Sequence, residues 1–225
     1  FLLTKLGYRV CIIDADGLAN IHIHFKLKPI YSYFDYFTHK VNIEDIICKT
    51  YVKNLSIIAG TSDDLSLDRD KIAQFIEMVK VVEKSDNFDI ILIDTGAGIN
   101  DITKELFKFT DNILAITTRD PSSLTDVFTV IKMTSHIKDD IKLIFNSTDS
   151  YNLGELVTNS LQNLINREEN PIRIDYIGHI PAKNEILTTG RLRKLYAKEF
   201  PHLNSTVALV KILKIILKKV KCNGN

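Results

Sequence analysis

Short apolar, β-branched runs alternate with longer segments of helical period along the whole chain. The runs at residues 9–14 (RVCIID), 55–59, 90–94 (IILID), 113–117, 141–145 and 176–180 predict strands. Several are apolar on both faces, as strands buried in a parallel sheet are. Between them, Ile72, Phe75, Ile76, Val79 and Val82 recur at the spacing of one helix face. Leu124, Val127, Phe128 and Ile131 do the same, with Asp120 placed to cap and Pro121 suited to the first helical position. Leu153, Leu156, Val157, Leu161 and Leu164 mark a third helix. This alternation predicts an α/β fold: a doubly wound, mostly parallel sheet with helices on both faces. Without an internal repeat or a linker, residues 1–225 are expected to form one domain. The opening FLLTKLGY reads as the tail of a helix closed by Gly7. A helix tail without a beginning, on a chain opening with Phe1, gives the expectation that N-terminal sequence is missing.

Ligands of such sheets bind outside the carboxyl ends of the strands, so the residues just after each strand carry the chemistry. The first strand runs into Asp14-Ala15-Asp16-Gly17. Carboxylates two apart at a strand end point the same way and can address a metal or polarise a water. Asp and Gly are also ordinary turn formers, and both readings stand at this level. The 90–94 strand runs into Asp94-Thr95-Gly96-Ala97-Gly98. An apolar strand ending in Asp suits a magnesium-associated aspartate, and the glycines let backbone approach a phosphate or change conformation. The alternative is a tight turn into the next helix. The 113–117 strand leads into Thr118-Arg119-Asp120-Pro121, which reads as a helix cap that could also meet an anion.

Composition narrows the function classes. A net charge of +1 offers no global field for nucleic acid, so any such contact must be a local patch and no nucleic-acid partner is expected. Cys11, Cys48 and Cys222 are scattered and odd in number, which supports neither a zinc site nor a disulfide framework and fits a reducing cytoplasm. No apolar run reaches the roughly 20 residues of a membrane span.

The strand-end segments carry a family resemblance. RVCIIDADGLAN, followed by Leu27-Lys28-Pro29, resembles the switch I region of FlhG-type members of the MinD/ParA ATPases. IILIDTGAGI is similar to their Walker B strand and switch II, and TTRDPSSLTDVFTVIK to their TTPEPTSITDAYALIK stretch. FNS at Asn146 and YIGHIP ending at Pro181 resemble the later strands that flank the adenine. The matches run in order from about Leu6 to the last helix, and the DTGAGI and DPSSLTD segments favour the FlhG branch.

The resemblance implies ATP and Mg2+ as the family's cofactors. It implies that Asp16 orients the attacking water, that Asp14 lies near magnesium, and that Asp94 holds magnesium through water. Gly96 and Gly98 would let switch II respond to the γ-phosphate. Asn146 would read the adenine edge, with Pro181 beside the base. It further implies slow ATP hydrolysis in a homodimer, control of flagellar number and placement, and a flagellar GTPase of the FlhF type as partner.

The chain also departs from the family. The KGGVGK[ST] loop is absent, since none of the nine glycines stands before Lys-Ser or Lys-Thr. With that loop go the backbone N–H cradle, the phosphate lysine and the magnesium hydroxyl, so this chain is expected not to hold ATP usefully. DADGLAN is one residue shorter than the family's DADLGLAN, Ser147 replaces the usual arginine, and Ala182-Lys183 replaces an acidic pair. Loss of the first strand and loop is expected to leave two unpaired sheet edges and uncovered apolar surface. The alternatives are a catalytically inactive module binding flagellar or membrane partners, and a septum-site or chromosome-partitioning relative.

Three further features remain. Residues 207–220 (VALVKILKIILKKV) form a basic amphipathic helix, with Lys211, Lys214, Lys218 and Lys221 opposite Leu209, Ile212, Leu213, Ile216 and Val220. It reads as a core helix with a solvated lysine face, with peripheral contact to the inner face of the cell membrane as the other reading. His22 and His24 lack an evident third metal ligand and read as incidental. Arg191, Arg193 and Lys194 form a small basic cluster, by default a solvated surface and otherwise a phosphate or acidic-partner contact.

Overall fold

The computed structural model describes residues 1–16, 20–60, 69–96 and 100–222, with side chains through residue 218. The chain divides into two compact units, Phe1–Ala97 with Thr188–Glu199, and Gly98–Leu187 with Phe200–Asn225.

The first unit contains α1 (Leu2–Lys5), β1 (Val10–Ala15), α2 (Ile21–His24), α3 (Tyr33–Phe37), a 3-10 turn (Ile43–Ile46), β2 (Ile47–Lys49), β3 (Leu55–Ile58), α4 (Arg69–Lys84) and β4 (Ile90–Thr95). Its four strands lie in the order β2-β3-β1-β4. β1 pairs in parallel with β3 on one side and β4 on the other, so Ile13 stands beside both Ile58 and Ile93. Burial on both faces explains the unbroken apolar run, since Val10, Cys11 and Ile13 are all buried. β2 is an antiparallel edge pairing Ile47 with Ile58, which sequence pattern alone did not predict because three residues carry no period. On α4 the expected stripe is buried through Ile72, Phe75, Val79 and Val82, and Phe75 meets Tyr33 edge-on at 5.3 Å.

The second unit contains α5 (Asp101–Phe109), β5 (Leu114–Thr117), α6 (Pro121–Thr134), β6 (Asp140–Asn146), α7 (Tyr151–Ile165), β7 (Arg173–Ile180) and the start of α8 (Asn184–Arg191). The chain crosses to the first unit within α8, forms α9 (Tyr196–Glu199), and returns as α10 (Asn204–Cys222). The three strands are all parallel in the order β5-β6-β7. Leu143 and Phe145 face a core shared with Val127 and Ile131 of α6 and with Leu161 and Ile165 of α7. Ile144 faces the other way and packs with Ile177 against Ile212 of α10. Helices therefore cover both faces of this sheet, and α10 docks by its apolar stripe while Lys211, Lys214 and Lys218 stay exposed.

Three local details differ from the sequence expectation. Asp120 occupies the N-cap of α6 without making the cap hydrogen bond; its carboxylate accepts from the Thr118 hydroxyl at 2.8 Å instead. On α7 the buried positions are Gly154, Thr158, Leu161 and Ile165, while Leu156 and Leu164 are exposed. Gly154, without a side chain, lets the Tyr176 ring lie against the helix and so rotates the buried stripe. Finally, β7 carries a bulge, because Leu143 pairs with Tyr176 and Ile144 with Gly178. Gly178 has φ +138°, and Ile212 of α10 would lie 3.1 Å from a Cβ there, so the bend and the helix contact both require glycine.

Candidate functional site

In the first unit, β1 and β4 end together, and the register places Asp14 beside Asp94 and Ala15 beside Thr95. Residues in register on neighbouring parallel strands point to one side of the sheet. Asp16 follows two residues later and lies over Gly96, where a Cβ would sit 2.6 Å from the Asp16 carboxylate oxygen. A side chain at Gly96 would therefore displace the Asp16 carboxylate. The structure brings four of the predicted residues, Asp14, Asp16, Asp94 and Gly96, to one strand end. Gly98 lies outside the described residues.

The three carboxylates have different surroundings. Asp14 is 1% exposed, and its two oxygens accept backbone N–H bonds from Asp16 at 3.3 Å and Ile21 at 3.0 Å. Sequence reasoning assigned it to magnesium; in the structure it also fixes the chain leading into α2. Burial pushes its carboxyl above the ordinary value, the two N–H bonds oppose that, and the negative charge of Asp16 adds to it. Asp94 is exposed at the rim of β4, yet partial desolvation and the charges of Asp14 and Asp16 raise it as well. Like charges gathered at one strand end favour a cation or a proton there.

Two neighbours were missed or set aside by sequence reasoning. Tyr33 is buried, and desolvation with the nearby charge of Asp14 pushes its phenol up to about 12. His22 reads as incidental in the sequence, but its charge opposes the rise at Asp14, and its Nδ1 is buried with no hydrogen-bond partner. No spacing signal marks either residue, because both reach the site through the turn at α2 and α3.

Asn146 and Pro181, expected at the adenine, sit together in the second unit at the ends of β6 and β7. The Asn146 side-chain oxygen accepts from the Ser147 N–H at 2.9 Å, and Ser147 adopts φ +57°. The buried Pro181 carbonyl accepts from the Ser205 hydroxyl at 2.9 Å, which ties this strand end to α10.

Residues 1–147 match the family model described as an AAA domain. The chain belongs to this family, in its MinD/ParA-type branch. It is 27% identical to the flagellum site-determining protein YlxH of Helicobacter pylori, over 98% of this chain and 76% of that protein. It is 25% identical to the antiactivator FleN of Pseudomonas aeruginosa, over 92% of this chain and 74% of that one. Among solved structures, the MinD cell division protein of Aquifex aeolicus superposes with a TM-score of 0.75 at 21% identity, covering 96% of this chain and 86% of its own. The septum site-determining protein MinD of Pyrococcus horikoshii, complexed with Mg-ADP, superposes with a TM-score of 0.70 at 19% identity, covering 95% and 85%. The MinD/ParA-type fold is therefore shared across nearly the whole chain.

A resident cation is tested by the residues themselves. Among the described residues, no three His, Cys, Asp or Glu side chains group closely enough to cage a metal ion. Asp94 and Asp14 offer two carboxylates, which fits Mg2+ held by one or two protein oxygens, its own waters and a phosphate. The carboxylate half of a magnesium-nucleotide site fits this strand end. A glycine-rich loop followed by Lys-Ser or Lys-Thr is not among residues 1–225.

Proposed function

We propose that these residues are the switch-bearing part of an FlhG-like ATPase that acts in setting flagellar number and placement, and that on their own they do not hold ATP. The observation that carries this reading is the register of Asp14 with Asp94, with Asp16 packed over Gly96. Asp94 would face a hydrated magnesium, Asp16 the water that attacks the γ-phosphate, and Asp14 would hold the loop that presents Asp16. The names of the two relatives support the flagellar assignment, site determination for one and antiactivation for the other. A homodimer, an FlhF-type GTPase and peripheral membrane contact through α10 belong to the same reading. No helix among the described residues is long and apolar enough to cross a membrane.

The sheet edges support the second half of the proposal. β4 and β5 each pair on one side only among the described residues. Each carries apolar side chains open to solvent, Leu92 at 37% on β4 and Ile116 at 60% on β5. A further parallel strand on such an edge would bury these groups and could carry a phosphate loop at its end.

The test is magnesium-ATP calorimetry on two proteins: this chain, and this chain with a strand and a Gly-Lys-Thr loop fused ahead of Phe1. Heat of binding is expected only from the second, and Asp94→Asn should weaken it. Micromolar binding by the unfused chain would overturn the claim that the loop is indispensable. Absence of binding by both would favour a catalytically inactive interaction module, a reading already suggested by the commitment of both Asp14 oxygens to backbone.

A further inference from the structure

A second concave region of the first unit is lined by cations. Lys26 and Arg193 stand between two adjoining hollows, of about 270 and 400 Å³, and line both. Lys28 and His22 complete the larger; Lys194, Lys198, Tyr51 and Glu199 complete the smaller. Five Lys or Arg side chains thus face one Glu, in a chain whose net charge is only +1. Lys194 neutralises that Glu199 at 3.3 Å, and Lys198 lies over the Tyr51 ring at 5.6 Å. Lys26, Lys28 and Arg193 have no ion pair among the described residues.

The backbone explains how two of these cations come together. Lys26 has φ +55° and Arg193 φ +51°, a conformation that costs a non-glycine residue about 1–2 kcal/mol. Both are the left-handed residues that close their helices, with the Leu27 N–H donating to the His22 carbonyl and the Lys194 N–H to the Thr189 carbonyl, and the two helix ends bring two cations without an ion pair among the described residues to one hollow. The buried, unpartnered Nδ1 of His22 supplies one more polar atom beside the larger hollow.

We propose that this hollow binds a small anion bearing two or more phosphate groups. Concavity and compact size favour a small polyphosphate over an extended acidic chain, and Arg and Lys together match phosphate oxygens. The site shares His22 with the surroundings of Asp14 but none of the three strand-end carboxylates, and it needs no magnesium.

The test is calorimetric titration of inorganic pyrophosphate into the full chain in the presence of EDTA. One saturable site is expected, weakened about tenfold or more by Arg193→Gly and by Lys26→Gly, consistent with loss of one charge-assisted contact. Both variants should melt no lower than the parent, because glycine relieves the left-handed backbone, so lost binding cannot be ascribed to unfolding. Lys214→Ala and Asp94→Asn should leave the affinity unchanged, which keeps this result independent of the magnesium-nucleotide reading. Absence of saturable binding would overturn the proposal, as would affinity untouched by the two glycine variants. Tight binding of a glutamate peptide with none of pyrophosphate would replace it by an acidic-peptide site.

Discussion

β1 and β6 are built alike and end differently. Each is an inner strand of its sheet, paired in parallel on both sides and buried on both faces. β6 contains one buried cation, Lys142, paired with Asp140 at 3.4 Å, and it ends in the neutral Asn146. β1 runs into a buried carboxylate whose nearest ionic neighbours include two more carboxylates. Where burial of charge serves packing, a counterion accompanies it; the strand end of β1 gathers like charges that disfavour one another. That difference is what the proposed cation site in the first unit rests on, while the end of β6 is neutral at Asn146.

The comparison can be broken most forcefully at the two cores. Phe75 and Phe145 are both fully buried, and each meets a tyrosine edge-on, Tyr33 and Tyr176. Replacing either by Ala should cost about 3–5 kcal/mol. Amide exchange is expected to rise first in the unit that lost its ring, since each core is its own cluster of contacts. Equal loss of protection in both units, for either variant, would show that they melt as one.

Gly96→Ala tests the acidic strand end. The added methyl displaces the Asp16 carboxylate, and a misplacement of roughly 1 Å at a reacting group can cost about 10²-fold in rate. In the loop-bearing fusion, ATP turnover should fall by that order while the melting temperature barely moves. Unchanged turnover would remove Asp16 from the site.

Gly178→Ala is the corresponding test of the second unit, where glycine serves packing. A side chain at φ +138°, 3.1 Å from Ile212, should cost about 1–3 kcal/mol. The loss should appear as a lower unfolding midpoint and faster exchange in α10, without change in any ligand binding to the first unit.

The sequence pattern made six of the strands legible because each is a short apolar, β-branched run between helical segments, although β4 and β5 leave Leu92 and Ile116 exposed. It also located the acidic strand end, since Asp14, Asp16 and Asp94 follow such runs directly. It did not reveal β2, whose three residues have no period, nor the rotated stripe of α7, which depends on Tyr176 packing against Gly154. The N–H bonds that occupy Asp14 come from backbone geometry, which no side-chain pattern encodes. The cationic hollow was legible only as the cluster at 191–194; its other wall, Lys26 and Lys28, is distant in sequence and joins it through the fold.

The smallest effect is the pH dependence contributed by Asp94. Its carboxyl is raised in the folded chain above its ordinary value of 3.8, so the folded state binds its proton more readily than the unfolded state does. Ionised Asp94 therefore opposes folding above the raised value; the penalty lifts as pH falls through that value and is gone below 3.8. Asp94→Asn should raise the melting temperature slightly at pH 7 and not at pH 3.5, by well under about 1 kcal/mol because the group is exposed and screened. Asp35 provides the opposite sign within the same unit: the Ser32 backbone N–H holds its carboxyl below the usual value. Its contribution is favourable above 3.8 and is lost as pH falls through the lowered value, so Asp35→Asn should lower the melting temperature at pH 7. Two aspartates of one small unit would then shift stability in opposite directions, one bound into a helix cap and one held against its own kind. If Asp94→Asn destabilises the chain at pH 7 as Asp35→Asn does, the strand-end carboxylates are held by partners that compensate their repulsion, and the contrast between β1 and β6 fails.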